Sequence, residues 1–206
     1  EVVTFYSYKG GTGRTMSMVN LACLLADRLN FGERILLIDW DLEAPGLHRY
    51  FHGRLRPAFA RDKPTGTSED ASDFPGLIDL FCRLRETGDS PSLKRKRRQD
   101  VRAETLLDAV KFDDYLLGTH LPNLDMIKAG RFDAGYGARV NTFPWEGFFN
   151  EYPLAFRVLA ERLKNRYRYV FIDSRTGQTD TAGICTTLMP EKLVLVFTPN
   201  RQSLFG

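Results

Sequence analysis

The segment Val2 to Tyr8 is β-branched and aromatic and runs straight into Lys9-Gly10-Gly11-Thr12-Gly13, after which Met16, Val19, Leu21, Leu24, Leu25 and Ala26 recur at helical spacing. This is a strand, a glycine-rich turn and a helix. Arg34 to Ile38 is the next short apolar run. It ends in Asp39-Trp40-Asp41, and a later run, Tyr169 to Ile172, ends in Asp173. Continuous apolar strands of this kind, alternating with helical stripes, predict a mainly parallel α/β sheet with helices on both faces. In such a sheet ligands bind at the carboxyl ends of the strands. Three polar clusters, Lys9 to Thr15, Asp39 with Asp41, and Asp173, therefore converge on one edge.

Between these landmarks the pattern predicts a helix over Gly76 to Glu86, a helical stripe from Val101 to Leu117 and a strand over Leu124 to Ile127. Gly130 to Gly147 reads as a loop, and Phe148 to Leu163 as a long helix with Pro153 as its weak point. Thr179 to Leu188 reads as a helix and Leu193 to Phe197 as a last strand. The whole chain, 1–206, is expected to be one domain with irregular insertions at about 52–75 and 87–100.

Composition narrows the class. With 43% hydrophobic residues and 15 Phe the chain has ample material for a core, which excludes disorder over most of it. The three cysteines are scattered and odd in number, so neither a disulfide framework nor a zinc site is indicated and a reducing, cytoplasmic setting is expected. No apolar run approaches the roughly 18 residues of a membrane span. The chain does not begin with Met and is expected to be a processed chain or a fragment. Its net charge of +3 is local: without Lys94-Arg95-Lys96-Arg97-Arg98, 24 basic residues face 26 acidic ones.

The loop itself is suited to a polyphosphate. Glycines let successive backbone N–H groups point inward, the following helix offers its positive end, and the Thr15 hydroxyl suits Mg²⁺. Against the usual pattern G-x-x-x-x-G-K-[ST], Tyr8 stands for the first Gly and Arg14 for the phosphate-contacting Lys. Arg14 keeps the charge but brings a planar fork of donors. Two carboxylates beside a bound polyphosphate would repel it unless a cation intervened, so Mg²⁺ is expected with the ligand.

The arrangement K-G-G-x-G-[K/R]-T resembles the deviant phosphate-loop ATPases, the P-loop family of the ParA partition and MinD division-site proteins. The resemblance extends to Asp39-Trp40-Asp41-Leu42-Glu43-Ala44-Pro45-Gly46-Leu47 and to Asp173-Ser174-Arg175-Thr176-Gly177, which look like a branch with arginine at the second basic position. It implies ATP and Mg²⁺ as cofactors, with Lys9, Gly10, Gly11, Thr12, Gly13, Arg14, Thr15 and Met16 as the nucleotide-binding set. Thr15, Asp39 and Asp173 would serve the metal. Lys9, Arg14 and Asp41 would serve catalysis, Lys9 reaching into a nucleotide-sandwiched homodimer and Asp41 positioning the attacking water. In that branch the domain belongs to larger bacterial multidomain proteins with signalling or defence context, and it continues past the position of Gly206.

Blander readings stand beside these. Cys185 is expected to be a buried small residue, and Trp145, Phe148, Phe149 and Tyr152 to be core. Arg175 reads equally as a phosphate contact or an ion-pair partner, and Asn200 as a base contact. The block Lys94 to Arg98 reads as a solvated loop, as a contact for DNA phosphates, or as a surface for an acidic partner. For function, the leading expectation is an ATPase acting as a dimerisation switch. A nucleotide-gated regulatory module with little turnover is the alternative, and a bacterial-type tyrosine kinase on the same fold is a third reading.

Overall fold

The structure, a computed structural model, describes residues 1–58, 71–94, 98–177 and 180–199. Among the described residues seven strands form one sheet in the order β3-β4-β5-β2-β6-β1-β7. These are β1 (Val2–Tyr6), β2 (Ile35–Asp39), β3 (Arg56–Pro57), β4 (Leu117–Gly118), β5 (Leu124–Ile127), β6 (Tyr169–Asp173) and β7 (Lys192–Leu195). The five longer strands pair in parallel; β3 and β4 add an antiparallel edge. The expected α/β P-loop fold is the one observed.

Alternation along the strands builds two cores. Val3, Phe5, Ile35, Leu37 and Phe171 face one side, where helix α1 (Arg14–Ala26) contributes Met18, Val19 and Ala22. Val2, Leu36, Ile38, Val170 and Ile172 face the other. That face is covered by α2 (Leu77–Gly88), α4 (Gln99–Asp108), α6 (Trp145–Glu151) and α7 (Ala155–Arg166). Its hub is Phe81, whose ring lies 5.0 Å from Trp145, 5.5 Å from Trp40, 5.6 Å from Phe156 and 5.7 Å from Phe148. The aromatic group is thus core. Cys185 is fully buried, its carbonyl accepting the Thr4 hydroxyl at 2.6 Å.

Several boundaries differ from the sequence expectations. The Val101–Leu117 stripe is not one helix: α4 stops at Asp108, Phe112–Tyr115 forms a 3-10 turn, and Leu117 enters the sheet. Buried leucines at Leu106, Leu107, Leu116 and Leu117 satisfy both patterns, so spacing alone does not separate them. Pro153 divides the expected long helix into α6 and α7, because it lacks an N–H and disfavours helical backbone at Tyr152, which has φ −128° and ψ 62°. The expected loop 130–147 contains helix α5 (Tyr136–Thr142). The short α3 (Pro91–Lys94) lies in the expected insertion 87–100, and 3-10 turns occupy Leu47–Phe51 and Ala71–Asp73. The helix expected over Thr179–Leu188 is α8 (Asp180–Gly183) followed by a π-helical turn, Ile184–Leu188. Of the basic block, residues 95–97 lie outside the described residues, as do 59–70 and Asn200; Arg98 is ion-paired with Asp100. No helix among the described residues is long and apolar enough to cross a membrane.

Candidate functional site

Strand register decides which side chains meet. Asp39 and Asp173 are Cα partners at the carboxyl ends of β2 and β6, and the Trp40 N–H donates to the Asp173 carbonyl at 2.9 Å. On the other side of β6, β1 ends beside them and turns into the loop at Tyr8 to Gly13. Gly11 and Gly13 have φ of 76° and 84°, in the left-handed region that a side chain strains. With Gly13 capping α1 in that conformation, Arg14 and Thr15 enter the first turn of the helix pointing at the β6 terminus.

Arg14 is 6% exposed and lies between two carboxylates. Its Nε donates to Asp173 Oδ1 at 2.6 Å, its Nη2 to Asp41 Oδ2 at 2.8 Å, and its Nη1 to Ser7 Oγ at 3.4 Å. Burial alone would lower the guanidinium's proton affinity, but Asp173 and Asp41 reverse this and hold it above its ordinary value. The Thr15 hydroxyl takes the other Asp173 oxygen, Oδ2, at 2.6 Å. Burial pushes the Asp173 carboxyl up, and Arg14 and Thr15 pull it back. Breaking such a buried pair from one side typically costs about 3–5 kcal/mol, because the remaining charge is left without a partner.

Asp39 is placed deeper. It is fully buried, its Oδ2 accepts the Leu47 N–H at 3.1 Å, and its Oδ1 lacks a well-formed hydrogen bond among the described residues. Burial and the charge of Asp173 raise its carboxyl well above the usual range. It anchors the loop after β2 and stands behind Asp41.

In front of these carboxylates lies a cavity of about 410 Å³ lined by the loop residues Gly10 to Thr15, Met16 and Ser7, together with Asp41, Glu43, Ala44, Tyr50, Arg175 and Thr176. That is a size suited to a small-molecule ligand. The structure thus brings together all the expected nucleotide-binding residues except Lys9, which is half-buried in the same loop but outside this lining. The Thr12 hydroxyl is buried without a hydrogen-bond partner among the described residues, an acceptor and donor left for a ligand.

Three contributors escaped the sequence reading. Ser7 supports Arg14 from the end of β1, and Tyr50 lines the cavity from the 3-10 turn. Tyr136 of α5 donates its hydroxyl to the Leu42 carbonyl at 2.6 Å, tying down the loop that carries Asp41 and Glu43. Burial, with Asp39 next, raises the Tyr136 phenol. Only its position in an aromatic- and glycine-rich stretch could have marked it.

The donor chemistry fits Mg²⁺ held together with a nucleotide. Among the described residues no cluster of three or more His, Cys, Asp and Glu forms a protein-only metal cage. Instead the Thr15 hydroxyl and the Asp173 carboxylate lie side by side at the helix end of the loop, the sparse oxygen set of a metal that also uses phosphate and water.

No family model matches the chain. A curated relative, the virulence plasmid ParA family protein pGP5-D of Chlamydia muridarum (strain MoPn / Nigg), is 32% identical over 91 residues, covering 43% of this chain and 30% of that protein. The solved structure of the septum site-determining protein MinD from Pyrococcus horikoshii OT3, complexed with Mg-ADP, is similar over 99% of this chain and 60% of that one, with a TM-score of 0.58 and 20% identity. The kinase domain of the Escherichia coli tyrosine kinase ETK is similar over 97% of this chain and 56% of that one, with a TM-score of 0.56 and 14% identity. The chain therefore spans under a third of the curated relative and 60% or less of these solved chains. The likeness establishes a ParA/MinD-like P-loop fold.

Proposed function

We propose that this chain, ParA/MinD-like in fold, is an ATP- and Mg²⁺-binding NTPase unit whose nucleotide-bound form pairs with a second copy and whose hydrolysis resets it. One observation carries the reading: the loop Gly10 to Thr15 and Asp41 line a single cavity, with Asp173 held on the Thr15 hydroxyl behind it. Loop N–H groups and the positive end of α1 hold the phosphates. Thr15 and Asp173 supply oxygens to Mg²⁺, which when bound neutralises phosphate charge. Asp41, 13% exposed at the cavity, orients the attacking water, and Lys9 reaches the phosphates of the second copy. Catalysis is then positioning and charge neutralisation by preset groups. A cytoplasmic place within a larger bacterial signalling or defence protein belongs to the same reading and is supported by the sequence resemblance.

A second reading, a nucleotide-gated module with little turnover, is favoured by the hold that Asp41 and Asp173 have on Arg14, since a guanidinium so engaged is withheld from the γ-phosphate. Phosphate release measured for the wild type and Arg14→Lys separates the two. Brisk wild-type release rejects the module; release seen only with Arg14→Lys rejects the ATPase. Tyrosine phosphorylation rests on fold likeness alone and is read in the same samples by incorporation of labelled phosphate into the protein.

A further inference from the structure

We propose that Arg14 is the built-in counter-cation of this site: without nucleotide its guanidinium satisfies Asp41 and Asp173 and keeps a divalent metal out, leaving only when phosphates draw it away. The inference rests on the nucleotide-binding reading above and adds a dependence of metal binding on nucleotide.

The geometry is that of a plug. One guanidinium edge spans two carboxylates from different strand ends, at 2.6 Å and 2.8 Å, and a third nitrogen faces Ser7. With Thr15 on Asp173 Oδ2, both oxygens of that carboxylate are engaged. The pair is screened from water, Arg14 at 6% and Asp173 at 1% exposure. A divalent ion entering beside a fixed guanidinium meets repulsion that is screened less than at an exposed site. A triphosphate supplies acceptors for the same donors at the same loop, and the fork of Arg14 suits phosphate as well as it suits carboxylate. Its departure then exposes Asp41 and Asp173 as uncompensated negative charge, which raises metal affinity when the nucleotide arrives. A lysine offers one ammonium in place of two nitrogens set along a rigid planar edge, so it would hold the two carboxylates less firmly than Arg14 does.

The test titrates Mn²⁺ alone, followed by its electron paramagnetic resonance signal, into nucleotide-free wild type, Arg14→Gln and Arg14→Lys. Arg14→Gln is expected to bind Mn²⁺ about tenfold or more tighter than wild type, with Arg14→Lys between them. The gain is expected to vanish when Asp41→Asn and Asp173→Asn are added. Equal affinity in all three proteins, or a gain that survives loss of both carboxylates, overturns the proposal. Should Arg14→Gln fail to fold, Arg14→Lys against wild type decides, equality again overturning it. Calorimetry of wild type with Mg²⁺ and a non-hydrolysable ATP analogue runs in parallel. No binding there refutes the functional reading, whereas binding with a flat Mn²⁺ series refutes the counter-cation alone.

Discussion

Across the cavity, Arg175 on the loop after β6 is ion-paired through Nη1 to Glu43 Oε1 on the loop after β2. Both side chains are partly exposed, so the pair itself contributes under about 1 kcal/mol to stability. Its significance is competition: Arg175 lines the same cavity as the phosphate loop, and a phosphate would be a stronger partner than a half-solvated carboxylate.

Arg175→Gln should therefore weaken nucleotide binding by about tenfold, the worth of one charge-assisted hydrogen bond, and leave the melting temperature nearly unchanged. Glu43→Gln should leave binding equal or tighter, because it releases Arg175. Calorimetry on both variants checks this, and equal weakening by the two would mean that only the ion pair matters.

Gly13→Ala tests the loop's backbone. The residue has φ 84°, and although an added Cβ would meet only Met16 Cε at 3.6 Å, an L side chain in this region costs about 1–2 kcal/mol. A fall of about 2–8 °C in melting temperature is expected, with nucleotide affinity reduced more than stability, since the amides of the loop are reoriented.

Asp39→Asn should stabilise the nucleotide-free protein. Burial raises this carboxyl, so the folded state holds a proton that the unfolded chain has released, and stability falls as pH rises from the ordinary carboxylate value through the raised one. The amide keeps an acceptor for the Leu47 N–H without that cost. Its advantage in melting temperature should be present at pH 7 and shrink toward pH 4; a destabilised variant at pH 7 would show that the carboxylate is compensated.

The loop and the strand-end carboxylates are legible in the sequence because strand, turn and helix each leave a local signature, and register then brings Asp39 to Asp173. The grip on Arg14 is not, for its partners lie 27 and 159 positions away and nothing local specifies their approach. The break at Pro153 could be read from one residue. The end of α4 could not, because buried leucines continue through the turn into β4. Tyr136 was hidden for a similar reason: glycines around it resemble a loop, while its hydroxyl contact with Leu42 depends on a helix placed by distant packing.

Acid should weaken the fold through His48. Its imidazole lies tilted 4.6 Å from the Phe132 ring and is lowered to about 4 by burial, then by the charges of Lys128, Arg49 and His52. The unfolded chain takes up a proton near pH 6.5 that the folded one refuses until about pH 4, so stability is lost as pH falls across that window. The buried Asp39 carboxyl acts with the opposite sign over the same range, so the His48 contribution is read as a difference: in denaturant melts from pH 7 to 4, His48→Gln should gain stability relative to wild type as pH falls.

The proposed role of Asp41 in hydrolysis is tested by phosphate release from Mg²⁺ and ATP in wild type and Asp41→Ala, with light scattering of the same samples. The expected result is release by wild type, and in the variant retained ATP binding, a persistent dimer and release lowered by about a hundredfold or more. Normal turnover in Asp41→Ala would remove Asp41 from the reaction and with it the proposed ATPase.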